Sequence, residues 1–462
     1  METSATKQNV FMRYFDKRLT TSKFTAKEIL ALYLPMLLDQ FSIFGMNMLS
    51  SAMVSASSQE AISAISLVGT IAYLLVSMFS ALSTGGTVLV AQAKGRGLDD
   101  EIRKSCGQTI LVASSMGIIV TGLLVFGAPL MVSLFFSDAA PIIVDYGIIY
   151  LKLYGWALFP FAVFNSISCC FAGMGKAKHC LSLSVIINLV HLVMSFLMIN
   201  VLDMGIYGTG YSLIVARGVG ALAAVILMFF TNSQASGALR FRDLLYLSMD
   251  FIKKIIPLAL PIILGSIMSN GGALLTNSYI ASLEVDAIAA HSITNSVFSL
   301  FTLSGFALMT LTTTVCGQCI GSKDYDLARH YVRQFIRIGR LALIVNSAIV
   351  APFLPLLLLM YQPSATVQPI IYQLLVIGLI SAIALYCNDQ LLPTCLRAAG
   401  DATYTTVASL VVMWIVRVAL GYFLTITCGI GIYAVWIINI IQYFFDTLIF
   451  SRRLKGNKWQ KM

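Results

Sequence analysis

Charge is what this sequence has least of. Lys, Arg, Asp and Glu make up 11% of its 462 residues while hydrophobic residues make up 58%, whereas an ordinary soluble domain carries about a quarter charged residues. That balance excludes a soluble globular protein. Histidine is sparse too, with four residues. There is no HExxH, no phosphate-cradling glycine loop ahead of Lys-Ser/Thr, and no nucleophile, base and orienting acid at recognisable spacing. A membrane-embedded enzyme and an ATP-driven pump are therefore disfavoured, and no cofactor is expected. The nine cysteines fall at irregular positions, most inside apolar stretches, so they supply neither a disulfide framework nor paired metal-ligand spacing. The CxxC of Cys316 and Cys319 reads as packing, since a free Cys behaves as a small buried hydrophobe.

What is present is hydrophobic length. About twelve apolar stretches lie near 29–56, 61–91, 105–135, 141–171, 180–200, 206–231, 252–282, 286–318, 334–361, 367–394, 403–427 and 430–451. Each can cross a hydrocarbon layer of about 30 Å as a helix of roughly 20 residues. Such long continuous runs exclude the short alternating strands of a barrel. The expectation is an all-α integral membrane protein of the cell membrane.

The few charges are unevenly placed. Lys and Arg gather in the first 28 residues and in every second connection, including Lys94 to Lys104, Arg240 to Lys254, Lys323 to Arg333, Arg397 and Arg452 to Lys461. The alternate connections, such as "ASSQE", "SLEVDA" and "TCGIG", have none. The positive-inside rule then puts both termini in the cytoplasm with an even number of helices. The net charge of +10 is thereby a topology signal and a match for anionic lipid, not a nucleic-acid footprint. The N-terminal segment lacks a cleavage site after a short apolar core, so it is not a signal peptide.

One stretch occurs twice. "VAQAKGRGLDDEIRK" begins at Val90, and "CGQCIGSKDYDLARH" begins at Cys316. Gln318 follows Gln92, Gly321 follows Gly95 and Arg329 follows Arg103, each by 226 positions. Pro261 follows Pro35, and "DAIAAHS" at Asp286 follows "EAISAIS" at Glu60, by the same 226; "LRAAGDA" ending at Ala402 follows "FAGMGKA" ending at Ala177 by 225. A register kept over six helices means two copies of a six-helix unit. Because six is even, the copies run parallel, related by a pseudo-two-fold along the membrane normal. The expected organisation is a cytoplasmic segment 1–28, a first lobe 29–232, a linker 233–254, a second lobe 255–451 and a tail 452–462.

These loops resemble the Gly-Gln-x-x-Gly, acidic, Ala-Arg loops of the MATE (multidrug and toxic compound extrusion) transporters, and "CLRAAGDATYTTVASLVVMWIVRVALGYFL" is similar to that family's Leu-Arg-Gly-x-Gly-Asp stretch. The resemblance covers essentially the whole chain. It implies two lobes in a V around a central cavity, and export of small organic, often cationic, amphiphiles by proton or sodium antiport. A monomer in the lipid bilayer is expected, with no nucleic-acid partner. The glycines and acids of the repeated loops read as turn and helix-start architecture, not substrate contacts.

An ionisable group in hydrocarbon is costly and marks a functional candidate. Asp39, four residues after Pro35, and Asp389, between Asn388 and Gln390 with Pro393 one turn on, are candidate coupling carboxyls. His191 can titrate near neutral pH, and Asn188 matches a polar residue of the family's first-lobe cation site. Gln40, Asn270, Asn388, Arg217 and Arg417 are candidates for the cavity wall; permanent pairing between helices is the alternative for the two arginines. The chain also departs from the family. Positions where members carry further acids fall on Ser50, Leu192 and Ser269, which depletes the hard oxygen set that sodium wants and favours proton coupling. A lipid-linked oligosaccharide flippase of the same superfamily is the alternative, and a passive channel is separable from an exporter by its indifference to an ion gradient.

Overall fold

The computed structural model describes residues 16, 18–54, 59–135, 140–230, 243 and 248–461. Most of the expected linker, and residues 1–15 and 17 of the N-terminal segment, lie outside them. Within them, twelve helices are long and apolar enough to cross a membrane. The first lobe holds α1 (Ala26–Val54), α2 (Gln59–Arg96), α3 (Asp99–Phe135), α4 (Pro141–Gly173), α5 (Ala177–Ser195, continued by Phe196–Val201) and α6 (Gly205–Phe230). The second holds α7 (Met249–Ile280), α8 (Val285–Gly321), α9 (Tyr325–Val350, continued by Ala351–Phe353 and Leu354–Tyr361), α10 (Val367–Ser381, Ala382–Tyr386, Cys387–Ala398), α11 (Ala402–Val412, Met413–Leu420, Phe423–Thr427) and α12 (Ile432–Lys455).

The helices outrun the apolar stretches, chiefly at the basic end of the bundle. α9 begins at Tyr325, not 334, and α12 ends at Lys455, not 451. Hydropathy reports where the chain meets lipid, whereas the backbone hydrogen bonds of a helix continue into the interface. The Asp324 side chain fixes the start of α9 by accepting from the Leu327 backbone N–H at 3.0 Å, an N-cap that satisfies one of the free donors of the first turn. The turns closing α4 and α10 pass through Gly175 (φ 77°) and Gly400 (φ 100°). These glycines are repeat mates, and each occupies the left-handed region where a side chain is disfavoured.

The repeat holds in three dimensions. In the first lobe α4 packs on α2, α3 and α6, and α5 on α1 and α6; in the second α10 packs on α8, α9 and α12, and α11 on α7 and α12. Each pairing recurs six helices later. Between the lobes α2 packs on α8, while α1 against α8 mirrors α7 against α2. Only a two-fold relation through the α2 and α8 contact exchanges those pairs, as two parallel copies require.

The buried clusters that join the lobes lie in the basic half. One gathers Ile29, Tyr33, Met36 and Val88 with Leu258, Leu311, Val315 and Tyr331; another gathers Leu82 and Ala113 with Phe251, Ile255 and Ala259. Among the described residues, four segments are wound as π-helix: Phe196–Val201, Ala382–Tyr386, Met413–Leu420 and Phe423–Thr427. The second ends at Tyr386, two residues before Asn388, and the third carries Arg417. Wider turns of this kind are uncommon and favour functional positions.

Candidate functional site

The repeated loops interlock. Gln92 donates its side-chain amide to the Ala398 carbonyl at 2.8 Å, and its mate Gln318 donates to the Gly173 carbonyl at 3.2 Å. Gly173 and Ala398 are themselves repeat mates, so one contact is the image of the other. A Cβ on Gly95 would overlap the Gln318 carbonyl, and a Cβ on Gly321 would overlap the Gln92 carbonyl. The glycines let two helix ends meet backbone to backbone, which is the physical reason the motif occurs once per lobe. The chain entering α1 closes over this latch. Lys23 Nζ donates to the Gln318 carbonyl and to Ser322 Oγ, both at 2.6 Å, Thr21 meets the Tyr331 hydroxyl, and His330 meets the Arg18 carbonyl at 3.1 Å. Burial pushes the Lys23 ammonium below the usual lysine range, against the opposing influence of Cys319 and Asp324.

The second lobe holds a buried acid pair. Asp389 on α10 is 9% exposed and Asp446 on α12 is 1% exposed; the two carboxyls lie near each other, and one Asp446 oxygen is buried without a hydrogen-bond partner. Gln390 donates to Asp389 Oδ2 at 2.6 Å, and Gln442 reaches Asp446. Tyr386 and Tyr443 wall the pair, their rings edge to face with centroids 6.0 Å apart. Arg397 and Arg417 lie in its electrostatic field, yet among the described residues neither forms an ion pair with either acid. Arg417 Nε is buried without a partner.

Arg397 is not the connection charge that its place near the end of α10 suggests. Its side chain turns back into the bundle, where Nε donates to Thr405 Oγ1 at 3.3 Å. There it helps line a cleft of about 240 Å³ between α2, α7 and α11, with Tyr73, Ser77, Ser269, Asn270 and Thr406 on the other walls. A long side chain can bury its stem and place its charge away from its backbone position. Asn270 lines this cleft, while its amide also donates to the Ser266 carbonyl at 2.8 Å. Asn388 does not. It accepts from Arg340 Nη2 at 3.2 Å on another side of α10, because successive helical residues point about 100° apart.

In the first lobe Asp39 faces Ser184 of α5, and one of its oxygens is buried without a hydrogen-bond partner. One turn along each helix, Asn188 donates to Ser42 at 2.9 Å, so Asp39 and Asn188 share the α1 and α5 seam. Gln40 is half-buried beside Asp39. His191 is half-buried and lies within the field of Arg217. That guanidinium sits over the rings of Tyr154 at 4.9 Å and Phe161 at 4.7 Å and donates to the Tyr154 hydroxyl at 3.3 Å. These contacts tie α6 to α4, and Arg217 is not among the residues that line the cleft.

The MatE family profile matches residues 35–197 and 261–423, two segments with the offset of the repeat, and the chain belongs to that family of transporters. It is similar to the uncharacterized transporter YisQ of Bacillus subtilis, 21% identical over 88% of this chain and 89% of YisQ. It is also similar to a probable multidrug resistance protein NorM of Thermotoga maritima, 21% identical over 94% of this chain and 93% of the relative. Among solved structures, an outward-facing multidrug resistance MATE transporter superposes with a TM-score of 0.84 at 18% identity, covering 94% of this chain and 96% of that one. A Pyrococcus furiosus transporter of the MOP superfamily, described as having a binding pocket of reversed polarity, superposes with a TM-score of 0.82 at 17% identity, covering 93% and 96%. At these identities the likeness is one of fold.

Proposed function

We propose that this protein is a secondary active exporter of the cell membrane that exchanges protons for small organic compounds, with its termini in the cytoplasm and its cleft facing outward. The observation that carries the reading is the Asp389 and Asp446 pair, buried beside a cleft between the lobes. Two neighbouring carboxyls in a low-dielectric interior resist carrying two charges at once. A proton also suits the site better than sodium, because the field of Arg397 and Arg417 opposes a metal cation. Loss of the proton adds a negative charge behind Arg397 and draws the guanidinium away from the cleft. The cleft then accepts a cationic amphiphile. Proton on the acid pair and substrate in the cleft then oppose each other through Arg397, and such negative coupling is the thermodynamic requirement of antiport.

A second reading has its own support. The charged side chain on the cleft wall is Arg397, surrounded by hydroxyls and an amide, a lining suited to an anionic head such as the phosphate of a lipid-linked substrate. The test is transport by the full-length protein in proteoliposomes under separately imposed proton and sodium gradients, with ethidium and carboxyfluorescein as cationic and anionic probes. Ethidium transport driven by the proton gradient supports the exporter; carboxyfluorescein transport alone supports the second reading. Transport indifferent to both gradients contradicts antiport.

A further inference from the structure

At the basic end, α9 carries a row of arginines that neither the latch nor the cleft uses. Arg333, Arg337 and Arg340 are spaced by four and three residues, which places them on one face of the helix. They rim a pocket of about 240 Å³ between α9, α10 and α12, with Lys455 opposite and Ile336, Leu392 and Leu454 as an apolar floor. A cavity of about 450 Å³, lined in part by the same Arg333, Arg337 and Lys455, continues it outward. No acidic side chain lines the inner pocket among the described residues. In the outer cavity Asp326 is engaged by Arg329 at 2.9 Å, and Arg329 itself is held by the Leu454 and Gly456 carbonyls.

We infer that this groove binds the phosphate headgroup of an anionic phospholipid. Depth is the first argument. The 19 residues from Leu341 to Leu359 carry no charge, and at about 1.5 Å per residue they span about the thickness of the hydrocarbon layer. Arg340, the residue before them, therefore stands at the headgroup boundary. Donor geometry is the second argument. Arg340 Nη2 is fixed on Asn388 at 3.2 Å, while its Nε is buried with no hydrogen-bond partner. A guanidinium so held needs an acceptor, and phosphate matches its planar donor set. The third argument is the mixed lining, since a basic rim over an apolar floor between helices accommodates a headgroup and the start of its acyl chains together. A solvated positive-inside face would explain exposed Arg333 and Arg337 alone, but not the pocket or the buried donor. Asn388 adjoins Asp389, so a lipid held here also touches the helix that carries Asp389.

The test is native mass spectrometry of the full-length protein in detergent, titrated with dioctanoyl phosphatidylglycerol, dioctanoyl phosphatidylcholine and inorganic phosphate. Phosphatidylglycerol should bind most tightly. Arg337→Gln, at an exposed position without a structural partner, should weaken it about fivefold, as expected for one basic residue at a lipid surface. Arg340→Lys should weaken it less than Arg340→Gln, and Arg452→Gln, which removes an exposed charge outside the groove, should leave it unchanged. Equal binding of phosphatidylcholine, or equal loss in Arg452→Gln, overturns the inference in favour of a diffuse basic surface. Full competition by inorganic phosphate overturns it in favour of a soluble anion.

Discussion

Gly95 of the first lobe lies against the backbone carbonyl of Gln318 in the second, so close that a Cβ has no room. The obstacle is backbone, which cannot rotate aside as a side chain can. Gly95→Ala should therefore cost the closed latch about 1–3 kcal/mol, the usual range for overpacking, and shift the lobes toward a state open at the basic face. Cys319, buried at the latch, reports this: its maleimide labelling, resolved by peptide mass spectrometry, should rise in Gly95→Ala and in Gly321→Ala. Unchanged labelling in both would show that the interlock does not hold this state.

Asp39 is expected to serve transport rather than the fold. Its unpartnered buried oxygen means that Asp39→Asn removes charge without breaking a required hydrogen bond. Expression and thermal stability should be retained while gradient-driven efflux falls about a hundredfold or more, the range for loss of a positioned proton-transfer group. Unchanged efflux would return Asp39 to packing.

The opposite behaviour is expected of Arg453. It pairs with Asp401 at 2.7 Å, and that acid is 1% exposed. Arg453→Gln leaves a buried carboxylate uncompensated, at a cost of about 3–5 kcal/mol. Thermal unfolding in detergent should show a large loss for Arg453→Gln and almost none for its exposed neighbour Arg452→Gln. Equal stability of the two would contradict a structural role for the pair.

Membrane crossing, the parallel repeat and the importance of the twin loops were legible in the sequence because each is written in one dimension, as hydropathy or as a constant offset. Asp446 as the partner of Asp389 was not, since α10 and α12 meet only in the folded bundle. The spacing of Gln442, Tyr443 and Asp446 along one side of α12 was the available signal. Arg397 was misplaced because its backbone position is interfacial while its side chain turns inward. Asn388 was grouped with Asp389 by adjacency, although helical geometry points the two in different directions. The π-helical segments that set the facing of Asp389 and Arg417 leave no hydropathy signature.

The acid pair sets a pH dependence with a definite sign. If the proton and a cationic substrate exclude each other, affinity for ethidium should weaken as pH falls, and the profile should flatten in Asp389→Asn and in Asp446→Asn. Isothermal titration across pH checks this, and a wild-type slope retained in both variants would move the coupling elsewhere.

The most direct measurement is proton release itself. Ethidium added to the purified full-length protein in weakly buffered detergent should release about one proton per substrate bound, the signature of negative coupling between the cleft and the acid pair. Asp389→Asn should bind substrate with little release. Substrate binding without proton release in the wild-type protein would contradict the account.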